Sequence, residues 1–522
     1  MLVTPRNNYM DANQNIGNGK RIAKNTLMLY FRQALIMLVS LYSVRVVLNV
    51  LGAEDYGVYN VTAGVVSAFG FLTGAMSAAS QRYFSYDLGQ NNIEKLQRTF
   101  SITFEIYILL VIFVVIIAET IGAWFVWYKL VIPTERRIAA FLLYQAVVLS
   151  FIFSLITTPY MSLLIAHENM NVYAYVSIIE AILKLGIVFL LKIITWDKLI
   201  LYGILICAVS FINTSLYRIY CKTHYKESKF HFIWDFAMFK EILSYSGWNL
   251  FGSISDVVKN QGLNILLNLF FGPIVNAARG IAMQVSIATN SFAQNFSLSV
   301  RPQIIKKYAN NENESLLNLV YLSSKGTFIL LYIFALPLML EMNKVLTLWL
   351  KNVPDSAEIF TILVLIEVII TSTSLPMMSL IQATGRIKWY QIIVGGIIIC
   401  NLPVSYCLLH FINSPLIVFW VNIGIAILAL VLRLILVKKE VPFFSIKSFI
   451  RKVIMPVILV IIFAFIPAFL VIFFMKQSFL RLIITIIVSV ITVSFFSYIF
   501  GLTKEEKIFF INFIRGKVKW RK

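Results

Sequence analysis

Fourteen stretches of about 20 mostly apolar residues run through this chain, and no other property limits its fold so severely. In a bilayer core the backbone N–H and C=O groups cannot reach water, so a crossing segment must pair them within a helix or a closed barrel. Runs of this length are predicted to be helices. They fall near 25–50, 57–79, 99–127, 138–165, 171–191, 199–220, 243–270, 274–300, 318–340, 359–383, 389–410, 415–437, 453–475 and 480–500. Composition agrees, with 59% hydrophobic and 13% charged residues, against about 25% charged in a soluble domain.

The net charge of +21 invites a nucleic-acid reading, but its placement decides otherwise. With fourteen crossings both termini share a side, and that side carries 30 of the 45 Lys and Arg residues against nine in the opposite loops. Basic loops mark the cytoplasmic face, so both termini are expected there and no nucleic-acid partner is expected. The first 24 residues are polar and lack a signal peptide's apolar core, so the first span is expected to be retained.

Sliding the chain on itself by 219 residues sets Leu48-Asn49 on Leu267-Asn268, Arg82 on Arg301, Asn91-Asn92 on Asn310-Asn311 and Ala166-His167 on Gly385-Arg386. That offset spans six crossings, an even number, so the copies share an orientation. The expected architecture is an all-α polytopic membrane protein of about 14 helices. It has two six-helix lobes related by a pseudo-two-fold normal to the membrane, plus two C-terminal helices. The divisions are a cytoplasmic N-terminal segment (1–24), an N-lobe (25–220), a cytoplasmic linker (221–242), a C-lobe (243–437) and the last two helices with a basic tail (438–522). Gly70, Gly74 and Ala78 form a small-residue stripe suited to close helix approach, and the basic tail is expected to lie along the interface.

Catalytic constellations are not apparent. The four histidines are scattered, the four cysteines contain no CxxC, and no HExxH, GxSxG or P-loop occurs. A non-enzyme without metal or cofactor is expected. Charges inside the apolar runs carry the functional information instead, because an ionised group at a helix centre costs roughly 2.5–3.5 kcal/mol and needs a polar cavity or a partner. Asp256 and Lys259 share a helical face and read as an internal pair; Arg279 has no acidic neighbour close in sequence. Lys325 is similarly placed. Glu180 and Lys184 read as an i, i+4 pair, Arg32 as a snorkelling end residue, and Arg45 as a cation with Glu54 and Asp55 within reach. Glu105, Glu119 and Glu367 read as counterions or proton carriers. A cavity lined by Arg279, Lys325, Lys259 and Arg45, with Asp256 beside them, would take a multiply charged anion. The arginine fork suits a pyrophosphate. Tyr42, Tyr245, Trp248 and Tyr332 are candidates to stack on sugars.

RVVLNVLGAEDYGVYNVTAGVV and GAMSAASQRYFSYDLGQ resemble the opening of polysaccharide flippases in the multidrug/oligosaccharidyl-lipid/polysaccharide exporter superfamily. NAARGIAMQVSIATNSFAQNFSLSVRPQI and LIQATGRIKWYQII resemble the eighth helix and the tenth-to-eleventh turn of the same group, above all the O-antigen and capsule repeat-unit flippases. The resemblance implies alternating access and transfer of an undecaprenyl-pyrophosphate-linked oligosaccharide across the bacterial inner membrane. The implied partners are that lipid-linked glycan, membrane lipid, a glycan polymerase and glycosyltransferases. In the related lipid II flippases an eighth-helix arginine matches Arg279, whereas their first-helix Arg-Asp pair and second-helix arginine have no counterpart here. A second reading is a cation-coupled multidrug exporter of the same superfamily, which requires a functional membrane carboxylate and a cavity favouring cations.

Overall fold

The computed structural model describes residues 6–67, 69–128, 130, 132–350, 353–503, 506 and 507, with side chains from residue 24 onward apart from 41, 44, 45, 48, 49, 53, 54, 57, 60, 61, 67 and 273. Among these residues the chain is all-helical. The segments are α1 (Arg6–Ser67), α2 (Gly70–Gly89), α3 (Ile93–Tyr128), α4 (Thr134–Ala166), α5 (Met170–Ile193), α6 (Lys198–His224) and α7 (Phe236–Ala309). They continue with α8 (Asn313–Leu340), α9 (Met342–Leu350), α10 (Ala357–Ser372), α11 (Leu375–Thr384), α12 (Lys388–Phe411), α13 (Leu416–Glu440), α14 (Ile446–Phe474) and α15 (Phe479–Gly501). Nine of the described helices are long and apolar enough to cross a membrane, ten if the α10–α11 pair, bent by 40°, counts as one span. Pro376, at the start of α11, lacks the N–H that would continue the α10 ladder.

Two of the helices break at glycine. Gly52 in α1 has φ 80° and ψ 168°, and Gly272 in α7 has φ 77° and ψ −171°. That region is essentially closed to residues with a Cβ. No atom lies within 4 Å of a Cβ built at either position, so the backbone alone explains the glycines. With the second arm of α1 taken together with α2, the bent α10–α11 pair as one span, and α9 as a short extra segment, the helices follow the fourteen apolar stretches of the sequence.

The chain packs as two compact units, Leu27–Ser253 and Ile254–Lys522, the second including the N-terminal segment up to Thr26. In the first unit one apolar cluster gathers Leu143, Tyr144 and Val148 of α4 with Ala118 and Val126 of α3. Another gathers Phe84, Phe100, Tyr160 and Leu163. Gly203 of α6 lets α4 come close: a Cβ there would stand 2.9 Å from Leu143. The expected small-residue stripe does not act this way, because nothing lies within 4 Å of a Cβ built on Gly70 or Gly74. The connector from Cys221 to Lys240 is held on the first unit. The Glu105 carboxylate accepts from Ile233 N (3.0 Å), Ser101 Oγ accepts from His231 N (3.3 Å), and Glu227 meets His167 Nε2 (2.6 Å). In the second unit Phe328, Phe360, Phe419 and Val460 centre one cluster, with Phe360 and Phe419 stacked at 4.3 Å.

The internal repeat is visible in backbone geometry. After α2, Asn91 takes φ 54° and its N–H bonds to Leu88 O; after α7, Asn311 takes φ 58° and bonds to Tyr308 O. Asparagine tolerates this left-handed conformation better than most residues. The neighbouring bonds match as well, Asn92 N to Asp87 O against Glu312 N to Lys307 O. These pairs, and the starts of α3 and α8, are 220 residues apart, which corrects the 219-residue register here. A third left-handed turn at Glu168 corresponds to Gly385 at 217 residues, so turn lengths differ between the copies and no single offset can hold.

Candidate substrate sites

The first unit contains a cavity of about 910 Å³. Its wall combines serine and threonine hydroxyls from five segments, among them Ser43, Thr73, Ser77 and Thr157, with the tyrosines 56, 59, 173, 202 and 217. Helical spacing produces this wall: hydroxyls three or four apart, as at Ser40 and Ser43, Thr73 and Ser77, or Ser154, Thr157 and Thr158, fall on one helix face. Gly74, instead of packing against a neighbour, opens onto this space. Three charges reach it: Arg32, Glu180 and Lys184. Arg32 does not snorkel. Its guanidinium lies 4.7 Å over the Tyr173 ring and donates to Tyr173 Oη (3.4 Å) and Ser177 Oγ (3.3 Å). Lys184 and Glu180 form the expected pair at 2.6 Å, and Asn213 donates to the second Glu180 oxygen at 3.1 Å. The hydroxyl periodicity is the sequence signal for this cavity, and charge placement does not reveal it.

The second unit holds the other polar cluster. Arg279 is 3% exposed; it donates to Asn264 Oδ1 and, at 3.2 Å, to the Asn260 carbonyl. Both acceptors lie on the arm of α7 before Gly272, so the break at the glycine brings the arginine onto its own helix. Glu367 of α10 acts on Arg279 electrostatically but makes its contact with Lys259, at 2.7 Å. The expected Asp256–Lys259 pair is therefore not the one formed: Lys259 reaches across to α10. Asp256 is exposed, with Lys259, Arg433 and Glu367 as the charges in electrostatic range. Arg433 of α13 bonds to the Tyr390 hydroxyl (3.2 Å) and Ser374 Oγ (3.0 Å). Three cations and two carboxylates thus share this region, and Lys259–Glu367 is the one ion pair in contact among them.

Other predicted residues are engaged elsewhere. Lys325, 2% exposed, pairs with Glu506 at 2.7 Å, so its ammonium is committed to the segment after α15. Glu105 accepts from the connector backbone, and Glu119 accepts from Gln145 at 3.0 Å. The side chains of Arg45 and Glu54, and most of the basic tail, lie outside the described residues. Asp55, offered as a partner for Arg45, instead binds Arg136 through both oxygens; Arg136 also binds Asp197. Tyr245 packs on Tyr83 at 5.5 Å and Tyr332 on Phe328 at 5.2 Å, which places both in packed interior.

No protein-family model matches this sequence, and no curated protein matches it. Solved structures do match in shape. A mutant of MATE aligns with a TM-score of 0.71 at 12% identity, covering 82% of this chain and 98% of its own. The fold is that of the MATE transporters. An outward-facing multidrug resistance MATE transporter of the MOP superfamily aligns at TM-score 0.69 and 12% identity, covering 84% of this chain and all of its own. A MOP superfamily transporter from Pyrococcus furiosus, described as having a binding pocket of reverse polarity, aligns at 0.67 and 13%, covering 84% of this chain and 99% of its own. The chain is thus a multi-pass membrane protein with the MATE transporter fold, while the identities carry no substrate.

Proposed function

We propose that this chain is a flippase for a pyrophosphate-linked oligosaccharide on a polyprenyl carrier, working in the bacterial inner membrane with both termini cytoplasmic. The observation that carries the reading is the cavity of the first unit. Its hydroxyls, tyrosines and asparagine supply donors and acceptors at many points, as a saccharide's hydroxyls require once water is removed. Two cations face one carboxylate there, an excess that suits phosphate or an acidic sugar. Arg279 in the second unit adds support: a buried guanidinium held by neutral amide oxygens keeps its charge available to an incoming anion. Glycosyltransferases and a glycan polymerase are the expected partners.

A second reading is export of cationic drugs, favoured by Glu180 in the cavity wall and by the fold shared with a multidrug resistance transporter. The two separate in purified protein reconstituted into vesicles. Flippase function predicts that a polyprenyl-pyrophosphate oligosaccharide in the outer leaflet loses accessibility to an added glycosidase over time. Arg279→Ala, reconstituted to the same level, is expected to abolish this loss. Vesicles that export ethidium but leave the glycolipid accessible overturn the flippase reading.

A further inference from the structure

The Lys259–Glu367 pair has the geometry of a substitute ligand. Its two side chains are 14% and 17% exposed, half-open rather than sealed, and they meet at 2.7 Å. The surroundings are cationic: Lys259 from α7 and Arg433 from α13 act electrostatically on Asp256, and Glu367 acts on Arg279 of the second arm of α7. The lysine of α8, Lys325, is already bound to Glu506. Arg279 and Arg433 are satisfied by neutral oxygens. Lys259 makes its one described contact to a charge, and that charge stands where an anionic ligand's oxygen would.

We propose that Glu367 is a resident counter-anion: it occupies Lys259 in the empty carrier, and the phosphate oxygens of the substrate displace it. This rests on the flippase reading and deepens it. A carrier that delivers an anion must return empty, and an ammonium left unpaired in a membrane span is costly. Closing Glu367 onto Lys259 removes that cost on the return. When a phosphate takes the ammonium, Glu367 loses its partner beside a new negative charge and takes up one proton from solvent. Nothing covalent changes. The proton leaves again when the phosphate departs and Lys259 returns.

The probe is citronellyl-pyrophosphoryl-N-acetylglucosamine, whose pyrophosphate diester carries two charges that do not titrate near neutral pH. Binding to the full-length protein in detergent is followed by calorimetry in two buffers of different ionisation enthalpy, which counts protons. Wild type is expected to take up close to one proton per probe bound, with affinity falling about tenfold per pH unit over the pH range in which that uptake occurs. Glu367→Gln is expected to bind about tenfold more tightly, because the competing carboxylate is gone, to take up no proton, and to turn over more slowly in vesicles. Lys259→Met with Glu367→Leu, an apolar pair of similar size, guards against misfolding and is expected to bind weakly without proton uptake. Binding by wild type with the same affinity and proton count as Glu367→Gln overturns this inference and leaves the flippase reading standing. Failure of wild type to bind the probe overturns both.

Discussion

The buried clamp between Glu341 and Arg481 permits a quantitative test of how the last two helices are attached. Glu341 follows α8 with its side chain fully buried, and Arg481, 11% exposed, lies in the first turn of α15. The carboxylate accepts from Arg481 Nε (2.7 Å), Arg481 Nη2 (2.8 Å) and the Thr485 hydroxyl (3.1 Å). Removing one member of such a pair leaves the other charge buried alone, at a cost of about 3–5 kcal/mol. Arg481→Ala is therefore expected to lose about that much, and Thr485→Val about 1 kcal/mol for one hydrogen bond. Replacing both charges, Glu341→Leu with Arg481→Met, is expected to recover most of the loss, since apolar pairs often match buried ion pairs. Unfolding in mixed detergent and SDS micelles, followed by helicity, supplies the free energies for a double-mutant cycle. A loss under 1 kcal/mol for Arg481→Ala, or a double variant no more stable than that single one, would refute the reasoning.

Further outcomes follow from other parts of the fold. Lys325→Met and Glu506→Gln are expected to destabilise the protein to a similar degree in the same micelles, and the vesicle assay is expected to keep its turnover in both if Lys325 serves attachment and not the substrate. Gly272→Ala, forced into a conformation that disfavours any Cβ, is expected to cost about 1–3 kcal/mol, whereas the helical Gly280→Ala serves as a control with no loss. Burial alone would raise the Glu227 carboxyl, but the His167 hydrogen bond and a backbone N–H outweigh it and hold the group below its ordinary value. Its contribution is then complete above the ordinary carboxyl range and lost as pH falls through the lower folded value. His167→Phe should make acid unfolding begin at higher pH, read by circular dichroism.

Apolar length and charge placement made the helices legible, because both are local properties of a segment in a bilayer. The Glu180–Lys184 pair was legible for the same reason: its geometry is contained in one helix. The partner of Lys259 was not, since Glu367 lies 108 residues away and only packing selects it over Asp256 three residues off. Arg279 was recognisable as a buried cation, yet the amides that hold it become neighbours only because the helix breaks at Gly272. Glu105 was legible as an acid in an apolar run, but its hydrogen bond from the connector backbone, 128 residues away, was not. The cavity of the first unit was overlooked because uncharged hydroxyls, spread over several helices, stand out less than isolated charges.

The paired turns at Asn91 and Asn311 carry a consequence for ancestry. Within them, buried Asp87 of one copy stands where the other has Lys307; Asp87 binds Lys95 and Thr99, while Lys307 binds Glu312 and Ser315. Polarity has reversed while the main-chain path has stayed. An ancestral six-helix gene that doubled would leave such a record, with backbone curvature inherited and ionic partners rewritten within each descendant half. It is the same divergence, carried further, by which distant cousins remain recognisable in outline long after their residues have ceased to align.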